Sequence, residues 1–282
     1  MRASMVAELH ALKLKVAAIE GARAGLEGPR TLPLGIAGID AALRGGLTLG
    51  AVHEIEAAGA ANRGAACGFA LALACLALKE RSAPKERSAP AVHEADGARN
   101  VLWVETTLTA AETGRPYAQG FEAFGLSPAR LLIVRVTRPA DLLWVLEEAL
   151  RCRGIAATIA ELSDTAGTDL TATRRLALAV RDSGALSLLV HHRATTQASA
   201  AMTRWQVAAA RSRPDAFGGL GRPAFDLHLT KNRHGSCGRW TILWDQHDRA
   251  FRDPALSFGV ASQTRDRSDR PRAERTLLSR TG

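Results

Sequence analysis

Aromatic residues make up only 5% of the chain, and their scarcity weakens the case for a platform that stacks single-stranded bases. Lysine is also scarce. Of 37 basic residues, five are Lys (Lys13, Lys15, Lys79, Lys85, Lys231), so the net charge of +9 is carried almost entirely by arginine. Cysteines are few and far apart. Cys67, Cys75, Cys152 and Cys237 form no C-x-x-C pair, which argues against a zinc site or a disulfide framework and fits reduced thiols. His191 and His192 are neighbours on a strand-like run, where side chains alternate faces, so they are poorly placed to share a metal. No apolar run reaches the roughly 18–20 residues of a bilayer span, and the N-terminus carries no compact apolar stretch with a cleavage site. A cytoplasmic protein without cofactors is the expectation.

What the chain does have is apolar content, 46% over 282 residues, enough for one sizeable α/β core with appendages. Apolar spacings of three and four (Leu9, Leu12, Val16, Ile19) predict an amphipathic helix over 5–20. Strand-like and helical patterns then alternate. Strands are predicted at Val52–Glu56, Val101–Glu105, Leu131–Val136, Ile155–Leu162 and Leu186–His191. Helices are predicted at Gly64–Leu78, Arg115–Phe124, Ala140–Cys152 and Asp169–Asp182. This alternation implies a mostly parallel sheet covered by helices. Phe225–Thr230 and Arg239–Trp244, joined by a Gly-containing connection, suit a C-terminal β-hairpin. Lys79–Pro84 and Lys85–Pro90 repeat the same six residues, as a slippage duplication in a surface loop would. From 259 onward the chain is weakly apolar and arginine-rich, which favours disorder. Three parts are expected: an N-terminal helix and linker (1–28), a core (29–258) with a flexible insertion (79–98), and a basic disordered tail (259–282).

The most informative segment is Gly59-Ala60-Ala61-Asn62-Arg63-Gly64-Ala65-Ala66. It keeps the glycine spacing of a phosphate loop, G-x-x-x-x-G-K-[ST]. In that motif backbone N–H groups cradle phosphates, the Lys reaches the β/γ-phosphates and the hydroxyl holds Mg²⁺. Here Ala65 and Ala66 replace both functional side chains. Sliding the register by one puts Arg63 at the Lys position, but a planar guanidinium is no substitute for a compact ammonium, and Gly64 then supplies no hydroxyl. Gly59, Arg63 and Gly64 are therefore candidates for a vestigial nucleotide loop. No catalytic residue is expected.

The order of motifs resembles the RecA-type ATPase core. Leu34–Asp40, Gly45-Gly46-Leu47 and Gly50–Ile55 look like the lead-in to its phosphate loop, and Lys231-Asn232-Arg233 resembles its late K-N-[KR] turn. Phe124-Gly125-Leu126, Arg130–Val134 and the segment Asp141–Arg151 resemble more specifically the ImuA family, RecA-related bacterial proteins of inducible mutagenesis cassettes. The resemblance spans roughly residues 30–255. It implies a RecA-like α/β core and a non-enzymatic accessory role in error-prone synthesis past DNA lesions. Its implied partners are ImuB, an error-prone replicative-type polymerase and RecA. In a working RecA-type enzyme an acid ending the Ile155–Leu162 strand and a glutamate after the Val101–Glu105 strand complete the chemistry. Glu161 and Glu105 are the altered counterparts here, Glu105 standing two positions early.

Other readings attach to specific residues. Lys231, Arg233 and Arg239 cluster near one turn with His234 and are candidate partner or DNA contacts, against a solvated hairpin tip. Leu9, Leu12, Val16 and Ile19 are a candidate subunit clasp, and the tail a candidate polymerase contact. Trp144 with Leu143, Leu146 and Leu150 reads as a packing stripe, and Glu147-Glu148 as a solvated face. Two rival functions are a cell-division inhibitor resembling SulA, which shares a degraded RecA-like frame, and a nucleotide-dependent recombination mediator.

Overall fold

A computed structural model of the chain describes residues 30–82, 99–162, 168–212, 214 and 219–254. The expected N-terminal helix with Leu9, Leu12, Val16 and Ile19, most of the 79–98 insertion and the 259–282 tail lie outside the described residues. The described chain opens with two short strands, β1 (Thr31–Leu32) and β2 (Leu47–Thr48), paired antiparallel around helix α1 (Ala37–Ala42). Then come β3 (Ala51–Ala57), α2 (Arg63–Ser82), β4 (Asn100–Thr106), α3 (Thr107–Thr113), α4 (Ala118–Ala123), β5 (Leu131–Val136), α5 (Pro139–Arg151) and β6 (Ile155–Leu162). They are followed by α6 (Leu170–Ser183), β7 (Leu186–His191), β8 (Thr203–Ala209), β9 (Ala224–Asn232), β10 (Gly238–Asp245) and β11 (Ala250–Arg252).

Nine strands form one sheet in the order β11-β10-β9-β8-β3-β7-β6-β4-β5. The run from β8 to β5 is parallel, and β9, β10 and β11 continue it antiparallel. This is the expected α/β class, a mostly parallel sheet flanked by helices as in a RecA-like core. Helix α2 covers one face, and α5 with α6 covers the other, giving three layers. β6 shows why the sequence pattern looked as it did. Ile-Ala-Ala-Thr-Ile-Ala-Glu-Leu is buried at every position, because a central parallel strand covered on both faces has no polar side to alternate with.

Helix α2 is long and apolar enough by composition to cross a membrane. In this fold Phe69, Ala70, Ala72, Leu73, Ala74 and Ala77 are fully buried, packed in one cluster with the sheet and with Leu32, Leu34, Ile39, Leu43 and Leu47. On the opposite face Leu142, Leu146, Leu150, Leu176 and Val180 pack on Val52, Leu102, Val104 and Leu189. The helix ends are capped locally: Asp169 Oδ1 accepts from Ala172 N at 2.7 Å, and Gly184 closes α6 in the left-handed region at φ 62°.

Several sequence expectations change. The helix expected over Arg115–Phe124 is shortened to α4, Ala118–Ala123, because Arg115 precedes Pro116 and that position disfavours helix, and an unexpected helix, α3, comes before it. α3 begins directly after β4, where Thr106 Oγ1 accepts from Thr109 N at 3.0 Å. α2 runs through Ser82, into the first copy of the hexapeptide repeat, and Lys79 Nζ donates to Asp248 O at 2.8 Å. Strand β8 is not among the expected elements; Thr203, Trp205 and Val207 are buried alternately with half-exposed neighbours. The packing stripe of α5 is Leu142–Leu146–Leu150, and Trp144 lies outside it, 62% exposed. Glu147 is not solvated. It is buried and ion-paired to Arg175 of α6, with Nε at 2.8 Å and Nη2 at 2.9 Å.

At the heart of the sheet His53 is fully buried. Its Nε2 donates to Thr48 O at 2.9 Å, which leaves Nδ1 to accept from Thr203 Oγ1 at 2.7 Å. Thr203 Oγ1 in turn accepts from Trp205 Nε1 at 2.9 Å. Burial lowers the imidazole pKa to about 4, against the opposing effect of the hydrogen bond to the Thr48 carbonyl. The unfolded chain takes up this proton near pH 6.5 and the folded chain does not. Stability contributed by His53 is therefore present above pH 6.5 and is lost as pH falls toward 4. The expected loss is roughly 3 kcal/mol across that window. Urea unfolding at pH 7 and pH 4.5 checks it, with His53→Gln expected to flatten the dependence.

Candidate functional site

The segment with the phosphate-loop frame passes from β3 to α2 through a single 3-10 turn, Ala60–Asn62. Gly59 sits at φ 99°, a conformation that L side chains rarely adopt. Gly64 is different. A Cβ placed there would meet nothing within 4 Å, so its glycine is not demanded by packing. Asn62 closes the turn: its Nδ2 donates to Ala58 O at 2.8 Å, and its Oδ1 accepts from Ala209 N at 3.0 Å. The side chain ties the loop to β8. Ala65 packs partly buried against the core, and Ala66 is fully buried within it.

Beside this turn lies a cavity of about 520 Å³, bounded by Arg63, Gly64 and Cys67 of α2, Trp103 and Glu105 of β4, Glu161 of β6 and the segment Glu112–Tyr117. The sheet order brings β4 and β6 together, so Glu105 and Glu161, the two acids assigned by resemblance, share one cavity. Both are engaged by neighbouring side chains. Glu105 is fully buried and faces its register partner Arg135 on β5, whose Nε donates to Oε1 at 2.8 Å. Cys67 Sγ–H donates to Glu161 Oε1 at 2.8 Å. Burial raises the Glu161 carboxyl above its usual range, and the Glu105 charge adds to this, while the Cys67 bond and Arg63 oppose it. The Cys67 thiol is pushed well up, first by burial and then by Glu161. Arg63 thus sits among acids at the head of α2. Two buried polar atoms in the cavity wall, Glu105 Oε2 and Trp103 Nε1, have no hydrogen-bond partner.

The Lys231-Asn232-Arg233 turn divides its labour in a way that spacing did not show. Lys231 Nζ is turned inward and donates to Ser199 O at 2.9 Å and Ser199 Oγ at 3.2 Å. Arg233 Nη2 reaches the same Ser199 O at 3.4 Å. Asn232 is the structural residue, its Nδ2 donating to Ala42 O at 2.9 Å and to Ser236 O at 3.0 Å. Arg239 is exposed on β10, next to the half-buried Trp240.

Ser199 belongs to the crossover from β7 to β8, and a buried ion network pins that crossover to the sheet. Glu54 and Glu56 of β3 are both buried on one face. Arg204 of β8, the register partner of Glu54, holds Glu54 Oε2 at 2.7 Å and Glu56 Oε1 at 3.3 Å. Its other nitrogens donate to Thr195 O at 3.0 Å, Gln197 O at 2.8 Å and Ser199 Oγ at 3.3 Å. Burial raises the Glu56 carboxyl, with Thr195 N–H and Arg204 opposing. Desolvation lowers the Lys231 ammonium, against the pull of Glu54. Sequence reading missed Cys67, Trp103, Arg135, Ser199 and Arg204. Only the β8 alternation gave a signal, and it pointed to Arg204's strand rather than to its role.

Compared with known proteins, the chain is 32% identical to two proteins named ImuA, both from Caulobacter vibrioides (strains NA1000 / CB15N and ATCC 19089 / CIP 103742 / CB 15). Each match covers 210 residues, 70% of this chain and 76% of the relative. No protein-family profile matches the chain.

Proposed function

The chain belongs to the ImuA family of damage-inducible mutagenesis proteins, and from that premise we propose that it is a non-catalytic, RecA-like accessory factor for error-prone DNA synthesis past lesions. The observation that carries the non-catalytic half is the pair Ala65 and Ala66. One is partly and the other fully buried in the core where the Lys and the Mg²⁺-binding hydroxyl of a phosphate loop would stand. Glu161, engaged by the Cys67 thiol and raised toward its neutral form, is poorly suited to hold a hydrated cation. Losing one positioned transition-state group commonly costs on the order of 10²–10³ in rate, and here several are replaced.

The docking half is supported by the β5 edge of the sheet. Leu132 and Ile133 are 48% and 44% exposed there, and Trp144 of the adjoining α5 is 62% exposed. An uncovered apolar edge strand is a template for another chain. RecA-type bodies associate head to tail through such heterologous faces. In this reading the chain caps or continues a RecA assembly by one face and engages ImuB and an error-prone polymerase with others, the 1–28 and 259–282 segments included.

A pull-down with the tagged full-length chain from DNA-damaged cells tests it. Recovery of RecA together with a lesion-bypass polymerase is expected. Recovery of the tubulin-like division protein without polymerases would replace the reading with that of a division inhibitor. Trp144→Ala should leave stability within about 0.5 kcal/mol and reduce recovery of the partner at that edge, whereas Leu146→Ala should cost about 2–5 kcal/mol. Mg-ATP is expected to leave the melting temperature unchanged. A shift that needs both Mg²⁺ and Arg63 would favour the recombination mediator.

A further inference from the structure

Between the end of α1 and the β9–β10 turn lies an open polar cleft of about 450 Å³. Arg44 lines it from the α1 side and Arg233, His234, Gly235 and Ser236 from the turn, and among the described residues no acidic side chain and no Phe, Trp or Tyr lines it. Arg44 was not singled out by any sequence motif. The fold brings it to the Lys231-Asn232-Arg233 turn.

Two features fix the walls of the cleft. Arg44 adopts φ 58°, in the left-handed region, and is one of two non-glycine residues with positive φ among the described residues. That conformation costs a non-glycine residue on the order of 1 kcal/mol. Glycine would serve there at no such cost, as it does at the next two positions, Gly45 and Gly46. The Arg44 side chain is exposed and so adds little to the core. The left-handed turn itself ends α1, with Arg44 N donating to Ala41 O at 3.2 Å and Gly45 N to Asp40 O at 2.7 Å; what is unusual is that an exposed arginine and not a glycine fills this position.

The opposite wall is also locked. Asn232 Nδ2 ties the turn to Ala42 O and Ser236 O, and His234 N donates to Asn232 Oδ1 at 3.2 Å. A Cβ on Gly235 would sit 1.9 Å from Ala42 O, so the turn approaches α1 as closely as a backbone can. Arg233 lines the same cleft as Arg44, and its long 3.4 Å contact to Ser199 O uses one of the guanidinium's five donors.

We propose that this cleft holds a backbone phosphate of a nucleic-acid strand, with Arg44 and Arg233 as its two charged donors. Paired guanidinium groups without a carboxylate between them match a phosphate's oxygens. No Phe, Trp or Tyr lines the cleft to stack a base, and phosphate contacts carry no sequence information, so binding is independent of sequence. The chain's net charge of +9 supplies the long-range attraction. The inference goes beyond the accessory reading and does not depend on it. Among the basic residues of the turn it selects Arg233, and it leaves Lys231 to the interior.

The test is fluorescence anisotropy of a labelled oligo-dT strand with the full chain over a series of salt concentrations. Arg44→Gly is the informative variant, since it relieves backbone strain while deleting the charge. It should melt no lower than the parent, bind several-fold more weakly and show a salt slope smaller by about 1. Arg233→Gln should behave likewise. Gly235→Ala keeps every charge but pushes the walls apart, and it should also weaken binding. If oligo-dT does not bind at low salt, or if Arg44→Gly and Arg233→Gln bind with unchanged affinity and slope, the site is not there. If ATP binds in an Arg44-dependent way and oligo-dT does not, the ligand is a free nucleotide and the nucleic-acid assignment falls.

Discussion

Replacing Arg204 by Met should cost the fold about 3–5 kcal/mol, the range for leaving a buried charge without its partner. Glu54 and Glu56 are 1% and 3% exposed, and the Arg204 guanidinium is their nearest counter-charge, at 2.7 and 3.3 Å. His191 Nε2 stands farther off, 3.9 Å from Glu54 Oε1. The same substitution strips hydrogen bonds from Thr195 O, Gln197 O and Ser199 Oγ, so the crossover from β7 to β8 loosens with the ion pair. The effect has a pH signature. Burial already raises the Glu56 carboxyl above its ordinary value, and Arg204 acts against that rise. Without Arg204 the folded state holds the proton more tightly than the unfolded state does. A group with a raised carboxyl pKa loses stability as pH rises through the interval between its unfolded and folded values. The Arg204→Met penalty should therefore be larger at pH 7.5 than at pH 5, as read from urea unfolding at both. Adding Glu54→Gln should recover part of it in a double-mutant cycle. A penalty below about 1 kcal/mol, equal at the two pH values, would mean that the network is hydrated and contributes little.

What the sequence revealed of this fold follows from periodicity. β6 and β7 were legible to the residue, Ile155–Leu162 and Leu186–His191, because central parallel strands are short, continuous apolar runs between helices. α5 and α6 were legible because each has one apolar stripe. The errors came where local pattern and tertiary environment disagree. Glu147 reads as solvated beside Glu148, and only the packing of α6 against α5 reveals Arg175 as its partner. Trp144 reads as core by composition, yet its position on α5 turns it outward. β8 lacks the continuous apolar run of β6 or β7 and has Arg204 and Gln206 on one side, so its pattern does not stand out in the sequence.

The candidate site was legible only in outline. The glycine frame and the missing Lys and hydroxyl are local facts that the sequence itself displays. The contacts that characterise the site are not local. Cys67 and Glu161 are 94 positions apart, Asn62 and Ala209 are 147 apart, and Asn232 meets Ala42 across 190. No spacing rule connects such pairs. The Lys231-Asn232-Arg233 motif shows the same limit in miniature: two cations two residues apart on a strand look equivalent, but Lys231 is bound inward to Ser199 while Arg233 borders an open cleft.

The aromatic cluster under α2 makes Phe69→Ala the second large loss, expected at about 3–5 kcal/mol. Phe69 is fully buried, and its ring lies 5.8 Å from each of Trp205, Phe225 and Phe251. Those three rings belong to β8, β9 and β11, so one side chain couples α2 to the antiparallel half of the sheet. The site depends on this coupling, because α2 begins at Arg63 and the turn before it is tied to β8 through Asn62 and Ala209. The gap left by Ala is hard to fill from the helix, since its neighbours Ala70 and Ala72 are small and already buried. Phe69→Leu keeps most of the volume and should cost under about 1.5 kcal/mol. The two variants separate packing from aromatic contact. If the rings matter beyond their volume, Phe69→Leu should cost more than this, by about 0.5–1.5 kcal/mol for the lost ring pairs, and should alter the near-ultraviolet dichroism of Trp205. If Phe69→Ala itself costs less than 1.5 kcal/mol, α2 is held by its alanine-lined contact with β6 and β7 alone, and the antiparallel strands fold onto the parallel core without this anchor.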